Sequence, residues 1–230
     1  MFSNFDFDVI RRALPFLFLD GMKFTLTLTA LSAFGGLVFG TLIALMRLSR
    51  SRSLALVAGL YVDLMRSLPL VLVIFWFYFL VPYIGQWLTG ASRPIKVGAF
   101  ESSLITFIMF EAAYFSEIMR AGIQSISKGQ PAAAQALGLT YSQTMRYIVL
   151  PQAFRNMLPV LLTQTIVLFQ DTSLVYVVSI TDFLGAASIV GQRDGRLVEM
   201  YLFVAVVYFI ISCSASLGVR RLQARLAVVR

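Results

Sequence analysis

Long charge-free stretches recur along the chain. Residues 24–46 run for 23 positions without a charged side chain, residues 67–92 for 26 and residues 200–219 for 20. A helix crossing the hydrocarbon of a bilayer takes about 20 apolar residues, so each stretch predicts a spanning helix, the second ending at Pro82. Two further stretches are apolar but interrupted. Residues 97–119 contain Glu101, Glu111 and Glu117, and residues 151–170 contain Arg155 and Pro159.

The basic loops order these segments. Arg47, Arg50 and Arg52 follow the first stretch, and Arg220, Arg221, Arg225 and Arg230 follow the last. Lys and Arg collect on the cytoplasmic side of a membrane, so both ends are read as cytoplasmic. Counting both interrupted stretches as spans also puts the basic region from Arg120 to Arg155 inside. The reading is five spans, N-terminus out and C-terminus in, with Lys and Arg divided 11 inside and 7 outside and Arg66 within a span. Residues 1–19 form an outer or interfacial lead-in, where Phe2, Phe5, Phe7, Ile10 and Phe16 suit the bilayer surface. It is no signal peptide, because Asp6 and Asp8 stand where a basic region belongs. Residues 20–220 form the transmembrane domain and 221–230 a basic cytoplasmic tail.

Composition agrees. Of the 230 residues, 59% are hydrophobic and 13% charged, with mean hydropathy +0.83; soluble domains carry about 25% charged residues. The net charge of +8 is a loop asymmetry and not a nucleic-acid footprint. Without histidine, the usual catalytic triads and zinc sites are excluded. The one cysteine, Cys213, cannot form an intramolecular disulfide. No Gly-x-x-x-x-Gly-Lys-Ser/Thr loop is present, so an ATP-driven process would need its ATPase on another chain.

Residues 121–150 are too polar to span and too rich in helix formers for a plain loop. Pro131 suits a first helical turn, Ala132, Ala133, Ala134 and Ala136 make a small-residue face, and Gly138 is a natural stop. Thr140 and Gln143 form a capping box that opens a second helix, expected to end near Leu150 ahead of Pro151. The pattern predicts a helical hairpin at the cytoplasmic face, either a docking element or an amphipathic connector.

Here the sequence resembles a known family. Ala132-Ala133-Ala134, Gly138, Ile148, Leu150 and Pro151 stand at the spacing of the cytoplasmic E-A-A motif in permease subunits of ATP-binding-cassette importers, with Ala132 in place of the Glu. RSLPL (66–70), AYFSEIMRAGIQSI (113–126), LPQAF (150–154) and QDTSLVYV (170–177) are similar to the polar amino-acid branch. Within it, FEAAYFSEI and FQDTSLVYV look most like glutamate/aspartate permeases. The resemblance covers about residues 20–220. It implies an all-α importer-permease fold and a bacterial inner-membrane location. It also implies a pair of ATPase subunits docked on the hairpin, a second permease (the same chain or a different one) and a periplasmic binding protein. No cofactor is expected on this chain, ATP being used by the ATPase. Glutamine or a basic amino acid is the alternative substrate. A secondary transporter driven by an ion gradient and a membrane enzyme are competing classes.

Ionisable residues at membrane depth are functional candidates. Asp63 and Arg66 lie three apart and can pair, as can Glu117 and Arg120. Glu111 has no local partner in the sequence and is read as a candidate pathway residue. Gln170, Asp171, Thr172 and Ser173 follow a short apolar run and predict a broken helix, with Thr172 or Ser173 capping a new one near Leu174. A helix start binds carboxylates, so Gln170, Thr172 and Ser173 are substrate-contact candidates. Asp171 could instead hold an α-amino group, and a turn at the outer surface is the other reading of the segment. Gly36 and Gly40 form a Gly-x-x-x-Gly step for close helix packing.

Overall fold

The computed structural model describes residues 5–49 and 51–226, and every regular element among them is helical. Among the described residues there are eight helical runs: α1 Phe7–Arg47, α2 Arg52–Ser67, α3 Leu70–Thr89, α4 Ala99–Gln124, α5 Gly129–Ala136, α6 Tyr141–Val178, α7 Phe183–Asp194 and α8 Leu197–Leu226. Of these, α1, α3, α4, α6 and α8 are long and apolar enough to cross a membrane. The five expected spans are these five helices. Their exposed faces carry residues such as Phe34, Trp87 and Phe209, which suit lipid contact; α4 is the helix most enclosed by protein.

Helix boundaries depart from the sequence expectation at the prolines. Proline supplies no N–H and its ring meets the carbonyl four residues back, so Pro82 and Pro151 were expected to sit at helix ends. Each lies instead in a continuous run, because the preceding turn widens. The segments Trp76–Leu80 and Met145–Val149 are π-helical, and the N–H groups of Val81 and Leu150 reach the carbonyls of Trp76 and Met145, five residues back. The wide turn makes room for the ring. Pro159 lies within α6. The break expected at Pro82 falls instead at Ser67-Leu68-Pro69, between α2 and α3.

The chain divides into two compact units. The first comprises residues 1–34, 68–108 and 166–215. In one of its cores Val9, Ala13 and Leu17 lie against Phe183, Ala187, Met200 and Val204; in the other Leu28, Ile74 and Phe107 meet Leu168 and Val175. The lead-in is thus packed on protein: α1 runs from Phe7 into the first span without a loop, and Gly21 admits the backbone of α7, a Cβ there lying 3.0 Å from the Asp182 carbonyl and the Phe183 Cα.

Asp182 caps α7 by accepting from the N–H groups of Leu184 (3.1 Å) and Gly185 (2.8 Å). It is fully buried, and burial pushes its carboxyl up to about 7. Because the folded chain holds this proton at pH values where the unfolded chain has released it, stability falls as pH rises from about 4 to about 7. Asp182→Asn keeps an acceptor for the cap and should flatten that slope. Melting curves of both proteins in detergent between pH 4.5 and 8 test this, and equal slopes would refute it.

The second unit comprises residues 35–67, 109–165 and 216–230. Its centre is a glycine seam. A Cβ on Gly36 would lie 2.8 Å from the Cβ of Glu111, and one on Gly40 would lie 2.9 Å from the Cβ of Phe115 and 3.0 Å from the Ala112 carbonyl. The Gly-x-x-x-Gly step therefore seats α1 directly on α4, as expected. Below it Ala44, Phe115, Met119 and Leu161 form a core.

Candidate docking hairpin and pathway residues

The hairpin is built as its residues predict. Pro131 falls in the first turn of α5. Gly138 has φ +84°, a left-handed conformation that an L side chain resists. It lets its own N–H reach the Gln135 carbonyl (2.9 Å) and the N–H of Leu139 reach Ala134 (3.1 Å). This double bond pattern closes a helix end and satisfies its spare carbonyls. The capping box follows, with Gln143 N–H donating to the Thr140 hydroxyl (3.3 Å) and Thr140 N–H to Gln143 Oε1 (2.9 Å). One expectation fails: the second helix does not stop near Leu150 but continues as the spanning helix α6 through the widened turn before Pro151.

Of the small residues only Ala134 is buried, where α5 rests on the start of α6. Ala132, Ala133 and Ala136 face solvent. Leu137, at 82% exposure, stands at the tip with Tyr141 and Tyr147 on the arm beside it. Ile148 is half-buried, and Leu150 and Pro151 are exposed. Isolated apolar residues on a surface are ordinary, but here small side chains and an unshielded leucine together present a low-relief, largely apolar surface. Leu137, Tyr141 and Tyr147 were not singled out from sequence; nothing in their spacing distinguishes them from core positions.

The charged candidates divide between those that pair as expected and those that do not. Asp63 and Arg66 do not pair. Arg66 instead sets its guanidinium over the Tyr114 ring, 5.6 Å from the centroid, and has no carboxylate partner among the described residues. The Glu117–Arg120 pair does form, and Arg47 joins it, so that one carboxylate holds two guanidinium groups across α1 and α4. Arg120 also donates to Gln124 (2.6 Å). Glu111 is 1% exposed and accepts from Gln164 on α6 at 3.3 Å. It is therefore enclosed within this chain, between α4 and α6. Gln164, a polar residue in the middle of the apolar run of α6, was the available sequence signal for this partner.

The segment 170–173 lies in the first unit and is not a broken helix start. From Thr172 to Val178 the helix tightens into a 3-10 turn, and the chain leaves it only at Ser179, whose φ is +61°. The Thr172 hydroxyl donates to the Phe169 carbonyl (2.7 Å), a bond back into its own helix, and is fully buried. Thr172 and Ser173 therefore cap nothing; the cap belongs to Asp182, eleven residues beyond Asp171. Gln170 is exposed, and Asp171 and Ser173 are half-buried. Among the described residues no group of three His, Cys, Asp or Glu side chains converges as a metal site.

Comparison with known proteins adds to this geometry. The family described as the binding-protein-dependent transport system inner membrane component matches residues 36–228. The glutamate/aspartate import permease protein GltK of Escherichia coli O6:H1 is 53% identical over 97% of this chain and 99% of its own length. The probable glutamine ABC transporter permease protein GlnM of Bacillus subtilis is 34% identical over 91% and 93%. Among solved structures, a chain of an amino acid ABC transporter crystallised with histidines superposes with TM-score 0.86 at 32% identity, covering 96% of this chain and 98% of that one. A chain of the inward-facing MetNI methionine ABC transporter, at 19% identity and TM-score 0.72, shares the fold.

Proposed function

Because the chain belongs to the binding-protein-dependent transport system inner membrane components, we propose that it is the permease subunit of an ATP-driven importer for glutamate and aspartate. It works with a pair of ATPase subunits, a second permease and a periplasmic binding protein in the bacterial inner membrane. Its own chain binds no cofactor, and ATP is hydrolysed on the ATPase.

The observation that carries this reading is the hairpin. Residues 129–150 present α5 outward at the end of a spanning helix, a shape with a use when something pushes on it. In this reading it faces the cytoplasm, Ala132, Ala133 and Ala136 lie in a groove of the ATPase, Leu137 fills its end, and the movement passes into α6. Gly138 and the capping box fix the angle at which α5 is offered. The dicarboxylate substrate class draws its support from the relative that is 53% identical; the glutamine permeases are more distant. Arg66, held by Tyr114 and without a carboxylate partner among the described residues, is the cation we assign to the acidic substrate's path. Gln170, Asp171, Thr172 and Ser173 on the first unit and Glu111 on the second remain candidates.

Proteoliposomes containing the permeases and the ATPase, supplied with binding protein outside, test the proposal. Labelled glutamate and aspartate uptake should require internal ATP and persist when an ionophore collapses the ion gradients. Preference for glutamine would move the substrate to the alternative class. Uptake that stops with the ionophore and ignores ATP would replace the importer with a secondary transporter.

A further inference from the structure

Beside the hairpin, within the second unit, a cleft of about 990 Å³ opens between the segment leading into α5, residues 152–163 of α6 and the end of α8. Its polar lining is rich in donors: Gln130, Gln152, Arg155, Asn156, Thr163 and Gln223, with Pro159 and Val160 supplying an apolar wall. Two of the amides are already oriented. Asn156 donates to the Ser125 hydroxyl (2.9 Å) and Gln152 to the Ile148 carbonyl (2.8 Å); each amide NH₂ retains a second N–H.

The charge is one-sided. The stretches that build the cleft, 125–130, 152–163 and 220–226, carry Lys128, Arg155, Arg220, Arg221 and Arg225 and not one Asp or Glu. Arg155 lines the cleft and has no ion-pair partner among the described residues, in contrast to Arg47 and Arg120, which share Glu117. A guanidinium flanked by amide donors matches the two oxygens of a carboxylate, and the apolar wall suits a short methylene chain. None of these residues is among the pathway candidates above.

The geometry points to a second anion site on the hairpin side of the permease, one that takes a carboxylate of the transported acidic amino acid. This rests on the proposed substrate class. Gln130 lies in the first turn of α5, so the occupant would touch the docking helix itself. An anionic lipid headgroup offers similar oxygen chemistry from another source, and the test separates the two.

The assembled transporter is placed in nanodiscs of phosphatidylcholine alone or with phosphatidylglycerol, without ATP or binding protein. Equilibrium binding of labelled L-glutamate is then measured. Wild type should bind glutamate more tightly than L-glutamine in phosphatidylcholine, Arg155→Gln should weaken binding about tenfold or more, and Arg155→Lys should lose less. Co-purification with the ATPase checks that each variant is assembled. Glutamate binding unchanged by Arg155→Gln in both lipids overturns the site. Phosphatidylglycerol retained by wild type and lost from Arg155→Gln, with no glutamate bound in either lipid, assigns the cleft to lipid and overturns the amino-acid occupant. ATP-driven uptake from the same preparations keeps the outcomes distinct: glutamate uptake without cleft binding sinks only this inference, whereas absent glutamate uptake sinks the substrate reading beneath it.

Discussion

Gly40→Leu is expected to leave a permease that cannot hold its second unit together. A side chain at this position meets atoms that cannot rotate away: the Cβ of Phe115, the Ala112 carbonyl at 3.0 Å and the Ser116 amide nitrogen at 3.2 Å. Helix α1 must therefore lift from α4. Between helices surrounded by lipid there is no hydrophobic drive to restore the contact, so close packing carries much of the association. Overpacking a close-fitting site costs about 1–3 kcal/mol and more where backbone must move, which is a large share of the stability of a typical domain, roughly 5–15 kcal/mol. The same separation would pull Arg47 away from Glu117. Size-exclusion profiles and melting points in mild detergent measure the effect. Gly59→Leu is the control, because a Cβ there has nothing within 4 Å. A Gly40→Leu protein as monodisperse and heat-resistant as the Gly59 control would refute the seam.

Gly138→Leu should act in the opposite manner, sparing the fold and removing transport. A side chain at Gly138 meets nothing within 4 Å, so there is no clash. The penalty lies in the backbone: φ of +84° is held at a cost of about 1–2 kcal/mol by an L residue. That sum is small for the spans but large for an eight-residue helix whose direction depends on the corner. Helix α5 would be offered to the ATPase at the wrong angle. The expected result is uptake near background, ATPase activity no longer coupled to it, and a melting point within a few degrees of wild type. Gly138→Asn, which tolerates the left-handed region better, should recover part of the uptake. Wild-type uptake by Gly138→Leu would remove the hairpin from the coupling path.

What sequence could and could not convey follows from the range of the interactions. The spans are legible because charge-free length is local, and the hairpin because Pro131, Gly138, Thr140 and Gln143 act within four residues of themselves. Pro82 and Pro151 misled because their local effect is absorbed by a wider turn, which leaves no mark of its own in the sequence. Asp63 and Arg66 had the right spacing to pair, but Tyr114, 48 positions after Arg66, offered the guanidinium a ring. The segment 170–173 has the composition of a helix start, yet Thr172 bonds backwards to Phe169 and the chain tightens instead of breaking. Glu111 needed Gln164, 53 residues away, to be understood.

The junction between α5 and α6 has a mechanical meaning. From Tyr141 the backbone is hydrogen-bonded helix all the way into the membrane-crossing part, with no slack linker at its base. At 1.5 Å per residue, the stretch 141–165 is a rod of roughly 37 Å, so a swing of about 10° at the hairpin end displaces the other end by about 6 Å. The widened turn at Met145–Val149 and Pro159 both interrupt the regular hydrogen bonding of that lever arm, and stiffening either would change how much of each push is delivered as motion and how much is lost as bending.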